Sequence, residues 1–161
     1  MRDWLRVYTY KTGLLSPVAH DLQLSLERWE LHREGTGLVF RARLESLRVD
    51  GPIVRGKLEP RGISDRDRAK IKGHISDTVL CTTEHPVAIF KGQQVGSMLR
   101  GPLRLRGQAH EISFALREEE GRIHGEVEIQ PSRWGIAPFK ALGGAIKLKD
   151  HVRIAFSMNF L

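Results

Sequence analysis

Residues 151–160 read His-Val-Arg-Ile-Ala-Phe-Ser-Met-Asn-Phe, and every second one is apolar. Val152, Ile154, Phe156, Met158 and Phe160 share one face; His151, Arg153, Ala155, Ser157 and Asn159 share the other. A helix would scatter these five apolar residues around its circumference, whereas a strand collects them on one side. The segment therefore has to be a strand with one buried and one wetted face.

The same period recurs along the chain. It is seen in Leu22, Leu24 and Leu26; in Leu38, Phe40, Ala42 and Leu44; and in Leu103 and Leu105. It returns in His110, Ile112, Phe114 and Leu116, and in Ile123, Gly125, Val127 and Ile129. Leu5 and Val7 open the series, and Val87 to Phe90 adds a short run. The phase slips after Leu26, where Trp29 and Leu31 take over, and again near Leu47 and Val49. A β-bulge shifts phase by one residue and bends the strand, which suits a closed sheet. Glu34-Gly35-Thr36-Gly37 and Glu119-Glu120-Gly121 lie between alternating runs and read as hairpin turns.

One segment breaks the pattern. Ser64 can cap a helix, with Asp65 and Asp67 at its positive end. Ile71, Ile75 and Val79 then recur at four-residue spacing and form one apolar stripe. The spacing predicts a helix over residues 64–78, packed at one end of the sheet, with Gly73 weakening it by about 1 kcal/mol. The fold class is therefore all-β. The expectation is an antiparallel, up-and-down barrel of about eight strands, in one domain over residues 1–161. A barrel of that size holds either packed side chains or one small ligand.

A composition of 40% apolar and 28% charged residues excludes a disordered chain. No apolar run approaches the length of a membrane span or a signal peptide. Cys81 is the single cysteine, so no internal disulfide forms, and it is expected to be a small buried side chain. These points together favour the cytoplasm. The net charge is +7, and Arg41, Arg43, Arg104, Arg106 and Arg153 all fall on the polar faces of strands. An arginine row can grip phosphates, so an anion- or nucleic-acid-binding module is the alternative reading. The phenylalanines, however, fall on the opposite, inward face, and Glu27, Glu111, Glu126 and Glu128 interleave with the arginines.

Catalytic signals are weak. His20-Asp21 places a histidine beside a carboxylate at the close of a turn, yet adjacent strand residues point to opposite faces. The histidines are scattered singly, without zinc-ligand spacing, so neither a metal nor a cofactor is expected. The apolar face of the last strand leaves a homodimer open.

Four stretches, in order, resemble the YceI-like family. These are "GLLSPVAHDLQLSL" (13–26), "VLCTTEHPVAIFKG" (79–92), "LRGPLRLRGQAHEISFAL" (99–116) and "SRWGIAPFKALGGAIKLKDHVRIAF" (132–156). The matching residues are His20; Leu80, Pro86, Ile89 and Phe90; Gly101, Leu103 and Gly107; and Trp134, Gly135, Ile136, Asp150 and Val152. The resemblance implies a lipocalin-like barrel associated with polyisoprenoids, and hence carriage of an isoprenoid or other long apolar chain without catalysis. The lining would then come from Leu22, Leu24, Phe40, Leu44, Phe90, Leu105, Phe114, Val127, Ile129, Ile154 and Phe156. Trp134, Ile136, Pro138 and Phe139 would line the mouth, Gly143-Gly144 would let the backbone bend, and His20 and Lys140 would form a polar rim, with Lys147 and Lys149 nearby. The competing reading makes residues 131–150 a plug.

Overall fold

The computed structural model describes residues 1–12, 21–138, 140–141 and 146–159. His20, Phe139 and Gly143-Gly144 lie outside these residues. Twelve strand segments are present among the described residues: β1 (Trp4–Lys11), β2 (Asp21–Leu26), β3 (Trp29–Glu34), β4 (Gly37–Arg43), β5 (Leu47–Val54), β6 (Lys57–Leu58), β7 (Val87–Val95), β8 (Met98–Leu105), β9 (Gln108–Glu119), β10 (Arg122–Ile129), β11 (Lys140–Ala141) and β12 (Ile146–Asn159). All pairs are antiparallel, in the order β3-β4-β7-β8-β9-β10-β12-β1-β2-β5-β6, with β11 attached to β12.

Eleven segments on this path exceed the expected strand number, for a local reason. β2 runs on into β3 across Glu27-Arg28, and β4 runs on into β5 through the 3-10 turn Leu44–Ser46. Backbone bonds from Glu27 N to Ser46 O (3.3 Å) and from Arg43 N to Arg28 O (2.9 Å) carry the pairing across both breaks. Each pair of segments is thus one long, bent strand. β6 and β11 are only two residues each. With the breaks spanned, the two ends of the path meet and the sheet curls round into a ring. The phase slips at Leu26 and Leu47 mark these two bends.

The alternation in residues 151–159 is realised in β12. Phe156 pairs across to Leu5 and Gly125, and Ile154 to Val7 and Val127, so one face turns inward along three neighbouring strands. Val152, Ile154, Phe156 and Met158 on that face belong to the interior. One end of the ring is filled by aromatic side chains. Trp29 stacks on Phe40 with centroids 5.1 Å apart, and Phe156 meets Phe40 edge-on at 5.3 Å and Phe114 at 6.2 Å. Gly125 makes room for this: a Cβ there would stand 2.3 Å from the Phe156 ring and 3.1 Å from that of Phe114.

At the other end lies the helix α1 (Asp65–His74), followed directly by a π turn over Ile75–Val79. Ser64 accepts a bond from Asp67 N at 3.1 Å, as its capping position requires. Ile71 and Ile75 are buried, and Arg68 ties the helix down by donating to the carbonyls of Val49, Asp50 and Pro60. Ser64→Ala is expected to remove about 1 kcal/mol, read as faster hydrogen exchange at the first amides of α1. Cys81 corrects the sequence expectation: it is half-buried, with a left-handed φ of 50°, and ends the helical segment.

Candidate functional site

The ring encloses a cavity of about 220 Å³. Its wall is built from the inward positions of every long strand, which is what period-two patterning on a curled sheet produces. Leu24 on β2, Phe40 on β4 and Leu44 in the 3-10 turn line one side. Phe90, Leu105 and Phe114 come from β7, β8 and β9. Val127, Ile129, Ile154 and Phe156 come from β10 and β12. Val127, Phe40 and Ile154 sit mid-strand on the inward face and still keep partial exposure, because part of their surface looks into the cavity.

The floor is the aromatic cluster. The roof is the π turn and the segment after β10, through Ile75, Val79, Leu80 and Ile136. Ala137 and Pro138 border the cavity and are also exposed, so it reaches solvent on this side. Polar side chains on the lining are few: Thr9, Glu126, Lys149 and Asp150. Glu126 is engaged by Arg153 at 3.0 Å, and Asp150 accepts from both the backbone N (2.9 Å) and the hydroxyl of Ser132.

Of the lining, mouth and rim residues picked from the sequence that are among the described residues, three do not border the cavity. Leu22 is buried opposite Thr9 in the ladder but stays behind the lining. Lys140 is exposed on β11, away from it. Trp134 is wholly buried in the wall, where its indole N–H donates to Leu103 O at 2.8 Å and its ring meets His110 edge-on.

The position of Trp134 has a clear cause. The β9–β10 ladder runs from Arg122–Glu119 only to Gly125–Leu116, and beyond that the two strands part. The 3-10 turn Pro131–Trp134 follows β10, and Gly135 ends it with a left-handed φ of 74°. Trp134 is thereby anchored to β8, and Ile136 is turned onto the cavity. Within residues 131–138, the indole of Trp134 is thus packed into the wall while Ile136, Ala137 and Pro138 border the cavity.

The arginine face is largely engaged with carboxylates and carbonyls. Arg41 reaches Glu30 at 4.0 Å, Arg48 reaches Glu27 at 2.8 Å and Arg153 reaches Glu126 at 3.0 Å. Arg104 and Arg106 donate to the carbonyls of Gly107 (3.4 Å) and Gly135 (3.1 Å). Among the described residues, Arg43 alone of the five makes no such bond. Arg100 forks onto Glu111 at 2.9 and 3.2 Å, and that hydrogen bond holds the carboxyl below its ordinary range. Two outward rings are covered too, with Arg6 over Trp4 at 4.3 Å and Arg153 over Tyr8 at 4.2 Å. Those two faces, which could otherwise stack on bases, are therefore occupied by the protein's own cations.

Asp21, the neighbour of His20, is also committed: it accepts Lys11 N at 2.8 Å, where a bulge after Thr9 interrupts the β1–β12 ladder. No group of three metal-binding side chains occurs among the described residues. No helix among them is long and apolar enough to cross a membrane.

Comparisons with known proteins agree with this architecture. No curated protein matches the sequence. The fold is similar to that of BcnA from Burkholderia cenocepacia, with a TM-score of 0.61 at 10% identity, covering 96% of this chain and 94% of that one. It is also similar to a YceI protein from Campylobacter jejuni, with a TM-score of 0.58 at 11% identity, covering 94% of this chain and 90% of that one. The sequence model of the YceI-like domain matches residues 30–160, and on that match the chain belongs to the YceI-like family.

Proposed function

We propose that this protein binds or carries an isoprenoid or other long-chain apolar molecule inside the ring, without a chemical step. The observation that carries the reading is the cavity of about 220 Å³, walled by aliphatic and aromatic side chains and reaching solvent beside Pro138. A 150 Å³ apolar cavity holds benzene, so this one has room for roughly nine carbons, about two isoprene units. At about 0.8 kcal/mol per carbon, their transfer from water is worth about 7 kcal/mol before ordering costs. That corresponds to roughly micromolar affinity at best. A longer chain would leave its remainder along the rim, where the side chains of Val79, Leu80 and Pro138 offer further apolar surface.

Protein purified from cells is expected to release an apolar chain on organic extraction, detected by mass spectrometry at near one per chain. A chain that releases nothing and takes up no apolar fluorescent probe would overturn the proposal. Val127→Trp places an indole in the middle of the cavity. It is expected to weaken uptake of such a probe by about tenfold or more while the circular dichroism spectrum stays that of the parent.

A further inference from the structure

The inward face of β1 carries Leu5, Val7 and Thr9, and all three border the cavity. Thr9 is the odd member. It is only 6% exposed, and its Oγ1 is the one buried side-chain polar atom among the described residues without a hydrogen-bond partner. Its ladder neighbours are Leu22 on β2 and Val152 on β12, both with hydrocarbon side chains, so neither offers a side-chain partner. An orphaned hydroxyl in an apolar wall is costly, and a position that merely packed would be served better by valine. The other polar side chains on the lining are either paired, as Glu126 and Asp150 are, or placed at the exposed rim, as Lys149 is. Among the described residues, the lone uncommitted hydrogen-bonding group inside is therefore neutral, and it can both donate and accept.

We propose that Thr9 is the recognition point for a neutral hydrogen-bonding group, a hydroxyl or carbonyl, on the guest. This rests on the carrier reading above and narrows it: the cavity selects an oxygenated apolar molecule over a plain hydrocarbon. A charged head is excluded from that depth, because one neutral hydroxyl cannot compensate the desolvation of an ion. The polar group must also lie close to the buried carbons, since Thr9 is in the same wall as Val7 and one ladder step from Val152.

The test compares a ten-carbon terpene alcohol with the hydrocarbon of the same skeleton, each titrated by displacement of a fluorescent probe. The parent chain is set against Thr9→Val and Thr9→Ser. The parent is expected to prefer the alcohol. Thr9→Val should lose about fivefold in alcohol affinity while binding the hydrocarbon at least as well, and Thr9→Ser should restore the preference. Hydrocarbon binding by Thr9→Val reports that the variant is folded. Equal affinity of the parent for both probes, or unchanged alcohol binding in Thr9→Val, overturns the role of Thr9 and leaves the carrier reading standing. Failure of both probes on every variant overturns the carrier reading, and the proposal with it.

Discussion

Trp134→Ala is expected to unfold at a markedly lower urea concentration than the parent, having lost about 3–5 kcal/mol. The indole is fully buried, so its removal forfeits both its packing and the space it fills. It also strips Leu103 O of the N–H that it accepts at 2.8 Å. The effect should reach the cavity, because the ring occupies the place where β9 and β10 have stopped pairing. Trp134→Phe separates the two contributions. It keeps most of the packing and loses the hydrogen bond, so it should cost about 1–2 kcal/mol. If Trp134→Ala unfolds within about 1 kcal/mol of the parent, the wall does not depend on this seal.

Arg122→Ala is expected to cost a comparable amount, about 3–5 kcal/mol, through a different mechanism. Arg122 opens β10 at the end remote from α1, and its guanidinium is almost entirely buried. It donates to Ser157 Oγ (2.9 Å), Asn159 Oδ1 (2.8 Å), the carbonyls of Met1 (3.0 Å) and Arg2 (3.2 Å), and the carboxylate of Asp3 (3.2 Å). Asp3 in turn accepts Asn159 N at 2.9 Å. One side chain thus joins the N-terminus to the end of β12 and the start of β10. Its loss leaves Ser157, which is wholly buried, without its donor. Arg122→Lys keeps the charge but cannot reproduce the fork of donors, and should recover only part of the stability. Hydrogen exchange at β1 and at the end of β12 should rise in both variants. An unchanged melting temperature in Arg122→Ala would refute the clasp.

The barrel was legible in the sequence because its evidence is local. Val152 to Met158 face inward in the structure as alternation alone demands, and Ser64 caps the helix that its spacing to Asp67 announces. The bends at Glu27-Arg28 and Leu44–Ser46 showed as slips of phase. What escaped the sequence depends on distant partners. An indole between proline and glycine reads equally as a mouth or a seal, and Leu103, 31 residues away, decides. Arg122, directly after a hairpin glycine, reads as surface charge until the N-terminus folds over it. Thr9 was recoverable: it continues the inward register of Leu5 and Val7, and a hydroxyl in that place was the signal.

If the cavity carries a guest as proposed, the ring also limits what a bulkier one could do. An open sheet can splay to admit more volume, but here each strand is held by its neighbours on both sides, save where β9 and β10 part beyond Gly125–Leu116 and Trp134 fills the seam. On the proposed carrier reading, girth is set by the strands and by this indole seal and not by the occupant, so selection is expected to follow cross-section more than length. Slender unbranched or singly methylated chains should thread, while fused polycyclic skeletons should be turned away whatever their greasiness.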